Sequence, residues 1–143
     1  MDSIDLAIES RLELVHLVGL SVRGICSALP LSKEEADALE LAVCEACNNS
    51  IKHAYKGRED ALVRVTLGVD GTGVVIRVHD QGAPLEDRQK LSNDLPVAQS
   101  LDELPEGGMG LFLIRKAADS LGYKSSADGN SLVIRKAFQP NLK

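Results

Sequence analysis

The segment "VCEACNNSIKHAYKG", residues 43–57, decides the fold, because it reads as a helix but carries polar side chains where a buried helix would be apolar. Glu45, Asn49 and His53 recur at intervals of four, which places them along one helix face, with Lys52 beside them. Two adjacent asparagines are poor interior helix formers, because the short amide competes for backbone hydrogen bonds. The segment therefore predicts a helix whose polar face has a tertiary partner or a ligand.

This polar face has two interpretations. Hard oxygen ligands suit Mg²⁺, which takes one or two protein ligands together with phosphates and water, while Lys52 and His53 would offset phosphate charge. The other interpretation is a solvated helix face with one buried asparagine. The spacing alone does not decide between them.

Composition and charge limit the function classes. The 143 residues suit one domain, residues 1–143, with a hydrophobic core of its own. The chain has 16 basic and 21 acidic residues and a net charge of -5, which argues against binding to a nucleic-acid backbone. The opening "MDSIDLAIES" lacks the basic region of a signal peptide, and no long apolar run follows. We therefore expect no membrane span and a cytoplasmic protein.

Three cysteines are present, and two of them, Cys44 and Cys47, form a C-x-x-C pair. A zinc site needs four ligands, no second pair exists, and Cys26 lies in a separate segment. The preferred interpretation is two small apolar residues on a buried helix.

The rest of the chain gives a clear order of elements. Residues 3–10 read as a strand and residues 12–29 as a helix with apolar side chains at helical spacing. Ser32 and Glu35 form a capping box that opens a second helix, which runs to about Tyr55 with Gly57 as its stop. The remaining elements are a hairpin of residues 61–69 and 73–80, a polar loop of about 81–106, a helix of 109–122, and a hairpin of 123–138.

This order predicts an α+β fold: a two-layer sandwich of a mixed, mostly antiparallel sheet with its helices on one face. The strand of residues 61–69 alternates between valine or leucine and polar side chains. One face of the sheet can therefore remain in contact with water.

A second cluster lies in "HDQGAPL", residues 79–85, where a strand ends on Asp80 and breaks into Gly82 and Pro84. Aspartate and glycine are common at the start of ordinary loops. A carboxylate held at a strand end, with a glycine that lets the backbone approach, could also accept a hydrogen bond from the amine of an adenine.

The third cluster is "EGGMGLFLIRKAAD", residues 106–119, in which Gly107, Gly108 and Gly110 precede or open a helix. Glycines at this position free backbone N–H groups to hold an anion at the helix N-terminus. A flexible hinge has the same sequence, and there is no Walker A lysine and no strand directly upstream.

The order and separation of the three clusters match one known arrangement. The chain resembles the GHKL ATPases, the superfamily that includes the histidine kinases: "CEACNNSIKHAY" looks like the N box, "DQGAP" the first glycine box and "GGMGLFLI" the second. The spelling E-A-x-x-N-x-x-x-H-A-Y and the single-domain length resemble most closely the anti-sigma-factor serine/threonine kinases of bacterial partner switching. The resemblance covers nearly the whole chain and implies the Bergerat ATP-binding fold.

The resemblance also implies residue roles. Asn49 would be the Mg²⁺ ligand beside the phosphates of ATP, Asp80 would accept from the adenine amine, and Glu45 would be the catalytic general base. Residues 81–108 would form a lid over the nucleotide. The implied nucleotide-binding residues are Asn49, Lys52, His53, Asp80, Gly82, Ala83, Pro84, Gly107, Gly108, Met109, Gly110 and Leu111.

The implied function is phosphorylation of a STAS-domain anti-anti-sigma partner, in alternation with binding of a sigma factor or similar regulator. A homodimer through the first helix and first strand is implied as well. The sequence departs from related kinases in one respect, since "DELPEGG" has no arginine ahead of the second glycine box, and the nearest lid cations are Arg88 and Lys90. Two alternatives therefore stay open: an ATP-binding partner switch that transfers nothing, and a detached histidine-kinase ATP domain.

Overall fold

The computed structural model describes residues 1–85 and 109–140, which form five strands and three α-helices. A 3-10 turn at Leu12–Leu14 leads into the first α-helix, and a π-helical turn at Ser50–Ala54 continues the second. The strands are β1 (Asp2–Glu9), β2 (Leu62–Val69), β3 (Gly73–Asp80), β4 (Ser120–Ser126) and β5 (Gly129–Ala137), and the helices are α1 (Val15–Ser27), α2 (Lys33–Asn49) and α3 (Met109–Ala117).

The strands form one sheet in the order β1-β2-β3-β5-β4. All four pairings among the described residues are antiparallel, so this part of the sheet has no parallel pair. The predicted α+β fold with a mostly antiparallel sheet is confirmed. The parallel pair that a mixed sheet would contain is not found in these residues.

The core lies between the sheet and the helices. Along β2 the side chains of Val63, Val65 and Leu67 are fully buried, while Arg64 between them is exposed. This alternation is what a sheet with one covered face requires. The opposite side of the core comes from the helices and includes Val22, Leu39, Val43 and Cys47, all fully buried.

The capping box at the start of α2 is confirmed. Ser32 Oγ accepts from the Glu35 backbone N–H at 3.0 Å, and the Ser32 N–H donates to Glu35 Oε1 at 2.8 Å. The other oxygen of Glu35 lies 3.3 Å from Lys136 Nζ on β5 and accepts from Gln139 Nε2 at 2.9 Å. One carboxylate therefore closes the helix end and ties it to the sheet.

The C-terminal end of the third helix was predicted wrongly. The sequence suggests a helix to Gly122, but α3 ends at Ala117 and β4 begins at Ser120. The reason lies in the sheet: the Asp119 N–H donates to the Arg135 carbonyl at 2.8 Å, and its carboxylate accepts from the Ala137 N–H at 2.7 Å. Strand pairing thus takes over residues that helix periodicity alone would assign to α3.

Cys26 and Cys47 are buried, and Cys44 is half-buried. Burial raises the pKa of the Cys26 thiol to about 11 and that of Cys47 to about 12, so both thiols are protonated at neutral pH. Cys44 lies against α1, where a side chain at Gly19 would collide with its sulfur. These contacts agree with cysteines that pack as small apolar residues, because metal binding needs thiolates.

In residues 1–85 and 109–140, none of the helices combines the length and the apolar character that a membrane span requires.

Candidate active site

A cleft opens between the C-terminal end of α2, the end of β3 and the start of β5, with α3 on its other side. The cleft is open to solvent, and its empty space, solvent-exposed part included, is about 440 Å³. Most of its wall is apolar, and the polar groups converge on one end. The lining residues are Ala46, Asn49, Ser50, Ala54, Val78, Asp80, Ala83, Leu85, Leu111, Tyr123, Asn130 and Leu132.

Asp80 is the central polar group of the cleft, with only 7% of its surface exposed. Its Oδ2 accepts from Ser50 Oγ at 2.8 Å. Its Oδ1 accepts from Asn130 Nδ2 at 2.7 Å and from the Gly82 N–H at 3.0 Å. A carboxylate has about four acceptor positions, so these three bonds fix its orientation and leave Oδ2 able to accept one more.

Asn130 holds Asp80 from the neighbouring strand. It is 3% exposed and lies directly opposite Asp80 in the β3–β5 register. Its Nδ2 also donates to the Gly82 carbonyl at 2.9 Å, and its Oδ1 accepts from Ser125 Oγ at 2.7 Å. Asn130 therefore connects the β4–β5 hairpin to both the aspartate and the loop that follows it.

The π-helical turn brings the end of α2 to the same loop. Tyr55 closes the turn with a backbone N–H bond to the Ser50 carbonyl at 2.9 Å. Its buried hydroxyl donates to the Leu62 carbonyl at 2.6 Å and accepts from the Gln81 N–H at 2.7 Å. The wide turn therefore clamps the start of β2 and the end of β3 together, and π-turns occur often at functional sites. The helical segment ends at Ala54, and Gly57 follows with a φ of 83°, as the predicted glycine stop.

Gly82 lies where two backbones meet. A Cβ at this position would collide with the Ala54 carbonyl group, and the Ala83 N–H donates to the same carbonyl at 2.9 Å. Only glycine allows this approach. Ala83 lines the cleft next to it, while Pro84 is exposed.

Glu45 and the second glycine box are adjacent. A Cβ at Gly110 would lie 2.9 Å from Glu45 Oε2, so the half-buried carboxylate lies against the first turn of α3. The partial positive charge of a helix N-terminus favours an anion there. Leu111 lines the cleft and Met109 begins α3, whereas Gly107 and Gly108 lie outside the described residues.

Lys52 and His53 do not join the cleft wall. Both side chains are exposed on the π-helical turn, while Asn49 and Ser50 face the cleft. The prediction assumed α-helical spacing through His53. The wider turn changes the angular position of the residues after Asn49, and the contact of Lys52 and His53 with phosphates remains a prediction.

Four residues of the site were not singled out from the sequence: Ser50, Tyr55, Asn130 and Tyr123, whose hydroxyl accepts from the Leu85 N–H at 2.7 Å. Ser50 and Tyr55 were within the quoted segment, but nothing local marks them as partners of a residue 25 or more positions away. Asn130 reads as an ordinary hairpin residue after Gly129. Only the strand register places it opposite Asp80.

Residues 8–136 match a family model described as a histidine kinase-like ATPase domain. The chain is 34% identical over 131 residues to the serine-protein kinase RsbW of Bacillus pumilus. The matched segment covers 89% of this chain and 81% of that protein. It is 36% identical over 137 residues to the serine-protein kinase RsbW of Listeria innocua, with 94% and 87% covered. The chain belongs to the RsbW family of serine-protein kinases. The predicted family and the predicted kinase class are thereby confirmed.

Solved structures share the fold. The RsbU and RsbW domains of Rv1364c from Mycobacterium tuberculosis superpose with a TM-score of 0.68 at 12% identity, over 98% of this chain and 34% of that one. SiaB in the SiaB–SiaC complex from Pseudomonas aeruginosa gives a TM-score of 0.64 at 16% identity, over 93% and 88% of the two chains. At these identities the likeness concerns the fold alone.

We predict that Gly82→Ala destabilises the protein, because the new methyl group collides with the Ala54 backbone rather than with a movable side-chain end. Overpacking of this kind costs roughly 1–3 kcal/mol. Urea unfolding measures the loss. Gly71→Ala is the matched control, since its Cβ meets no atom within 4 Å, and it should change the free energy of unfolding by less than about 0.5 kcal/mol. Equal stability of the two variants would contradict the close approach.

Proposed function

We propose that the protein binds ATP with Mg²⁺ in this cleft and phosphorylates a serine or threonine of a STAS-domain anti-anti-sigma partner. The observation that carries the proposal is the buried Asp80 carboxylate, held by three hydrogen bonds at the end of an apolar cleft. Membership of the RsbW family supports the ATP-dependent activity. The proposed domain comprises residues 1–143, with a lid at about 81–108.

The cleft fits an adenine base. Val78, Leu132 and Ala46 supply apolar walls, and the acceptor of Asp80 that remains free is complementary to an exocyclic amine. Guanine carries a carbonyl at that position. The carbonyl oxygen and the carboxylate are both acceptors, so no hydrogen bond would form between them. Gly82 allows the backbone to lie close beside the base, because no side chain fills the space against Ala54.

The phosphate end of the site lies toward α3. Asn49 faces the cleft four residues after Glu45 and can offer its amide oxygen to Mg²⁺. The N-terminus of α3 at Gly110 can hold an anion, as helix N-termini do. The exposed Lys52 and His53 would contribute charge from the rim rather than direct contacts from the wall.

ATP, when bound, supplies the phosphoryl group, and Mg²⁺ offsets the charge of its phosphates. Glu45 is the proposed general base: its carboxylate accepts the proton of the substrate hydroxyl as the hydroxyl oxygen attacks. It lies on the same helix as Asn49 and beside Gly110, so one rigid element positions both groups. Asp80 and Asn130 hold the other end of the site in place.

The partner proposal rests on the resemblance to anti-sigma-factor serine kinases, in which phosphorylation of a STAS protein alternates with binding of a sigma factor or similar regulator. Such partners act in the cytoplasm, where we place this protein. One observation favours a second candidate, a partner switch that binds ATP without transfer: "DELPEGG" offers no arginine to stabilise the transferred phosphoryl group. Incubation with γ-labelled ATP and a STAS partner separates the two functions.

We propose a homodimer through α1 and β1, because Leu17 and Leu20 are 51% and 52% exposed on α1. Light scattering at tens of micromolar should give twice the chain mass. Leu17→Glu with Leu20→Glu should give a monomer, whereas Leu41→Glu, at a comparably exposed leucine on α2, should not change the mass. A monomer mass for the unmodified protein would rule out the dimer at these concentrations.

We predict that Asp80→Asn lowers ATP affinity about tenfold or more, because an amide can present a donor to the adenine amine and leaves Ser50 or Asn130 without an acceptor. GTP should bind poorly to the unmodified protein. Titration calorimetry measures both. Asp128→Asn, an exposed carboxylate on the β4–β5 hairpin, is the matched control and should bind ATP normally. Similar affinities for ATP and GTP would contradict the adenine role.

We predict that ATP binding needs a divalent metal and that Asn49→Ala weakens it strongly, because Asn49 is proposed as the only direct protein ligand. Calorimetry with and without Mg²⁺ tests this. Asn48→Ala is the control, since Asn48 is equally half-buried on α2 but does not line the cleft. If the two variants bind alike, Asn49 is not the ligand.

We predict that Glu45→Gln separates binding from chemistry. A general base acts in the transition state and adds little to ground-state affinity, so ATP affinity should change less than about twofold. Phosphorylation of the partner serine should fall roughly 10²-fold or more. Glu34→Gln, an exposed carboxylate on the same helix, should leave the rate unchanged. An unchanged rate for Glu45→Gln would assign the base to another residue, and an inactive unmodified protein would favour the non-catalytic switch.

A further inference from the structure

The sheet has a second face, opposite the helices, and this face carries arginines on three neighbouring strands. Arg64 on β2, Arg77 on β3 and Arg135 on β5 are all exposed. Each alternates with buried residues that face the helices, such as Ile76 and Ile134. We call these three arginines the cationic face.

The strand register sets the spacing of the cationic face. Arg64 lies opposite His79, Arg77 opposite Val133, and Arg135 opposite Val75. The three arginines therefore occupy one diagonal across β2, β3 and β5, each one step along from the last. Diagonal neighbours in antiparallel sheets are roughly 7–8 Å apart.

Little within the described residues neutralises this charge. Arg64 Nη1 lies 4.0 Å from Asp5 Oδ2, at the limit of an ion pair, and Asp5 also accepts from Thr66 Oγ1 at 2.5 Å. Among residues 1–85 and 109–140, no ion pair joins Arg77 or Arg135 to a carboxylate.

Small side chains lie between the arginines. Val133 is buried, with 8% of its surface exposed, and Gly122 opposite it on β4 carries no side chain. A Cβ at Gly122 would lie 4.0 Å from Arg135 Nη1, so this guanidinium spreads over the glycine. Tyr123, the one aromatic residue of the described strands, reaches the cleft side, where it bonds Leu85. On the side of the cationic face, the ring that the described strands present is the half-buried imidazole of His79, which lies opposite Arg64 and whose Nδ1 is 2.9 Å from Ser131 Oγ.

We propose that the cationic face docks an acidic protein segment in an extended conformation, with carboxylates on every second residue. Guanidinium groups pair with carboxylates through two parallel hydrogen bonds, which lysine cannot do. Alternate residues of an extended chain lie about 6.6 Å apart on one side, close to the spacing of the arginine diagonal. Since the cleft lies on the helix side of the sheet, docking here is independent of ATP binding and of the proposed kinase function.

A fluorescein-labelled peptide of six Glu-Ser repeats is the probe, and fluorescence anisotropy with the full chain at 25 mM and 150 mM NaCl is the measurement. The peptide should bind at low salt and more weakly at high salt. Arg77→Gln with Arg135→Gln should weaken binding about tenfold or more. Arg77→Lys with Arg135→Lys keeps the positive charge but loses the paired N–H donors of the guanidinium. Its affinity for the peptide should lie between that of the unmodified protein and that of the glutamine pair.

Arg11→Gln with Lys33→Gln is the matched control, because it removes two charges outside the cationic face, and it should change the affinity less than about twofold. If both glutamine pairs lose the same affinity for the peptide, binding depends only on net charge, and the proposal is overturned. No peptide binding at 25 mM NaCl would overturn it as well. Tighter binding of a 20-base-pair DNA duplex, lost in the Arg77 and Arg135 variants, would assign the face to nucleic acid instead. Melting temperature and ATP affinity of each variant show whether the fold and the cleft are intact.

Discussion

The Asp80 carboxylate constrains the rest of the structure, because a buried charge costs several kcal/mol unless its acceptors are filled. Its donors come from three separate parts of the chain: Ser50 at the end of α2, Asn130 at the start of β5, and the Gly82 N–H of the following loop. Each must arrive within hydrogen-bond distance at once. The β3–β5 register, the length of α2 and the course of the loop are therefore not independent choices.

The π-helical turn is the adjustment that lets α2 meet this requirement. A regular α-helix through residue 54 would hold the Ser50 carbonyl in a bond to residue 54, whereas here it accepts from Tyr55. The extra residue widens the turn, and Tyr55 then reaches both Leu62 and Gln81 with one hydroxyl. The two asparagines and the following serine, which are unfavourable in a plain helix, lie where the helix changes form. Their low helix propensity matches a segment whose geometry is set by tertiary bonds.

Local patterns predicted the elements well because their causes are local. The capping box of Ser32 and Glu35, the glycine stop at Gly57 and the alternation in β2 each depend on residues within a few positions of one another. The prediction of where α3 ends was wrong because Asp119 is held by backbone groups of β5, which lie about 16 residues later in the sequence. Asn130 was missed for the same reason, since its role exists only once Asp80 is placed opposite it. Local patterns singled out Asn49, Asp80 and Gly82, whereas their roles in nucleotide binding came from the family resemblance and remain predictions.

The contact between Glu45 and Gly110 explains why the site spans two helices. Glu45 lies on α2, whose core face is fully buried at Leu39 and Val43, so the backbone that carries Glu45 and Asn49 has a fixed position. Gly110 lies on α3, which packs on α2. After α3 the chain passes through Asp119 into β4 and so joins the sheet. A larger residue at 110 would push against the carboxylate, because a Cβ there would lie only 2.9 Å from Oε2. Glycine at this position therefore lets the carboxylate of the proposed base lie directly against the first turn of α3, where we also propose that an anion binds. Helix packing and the proposed chemistry place the same demand on this one position.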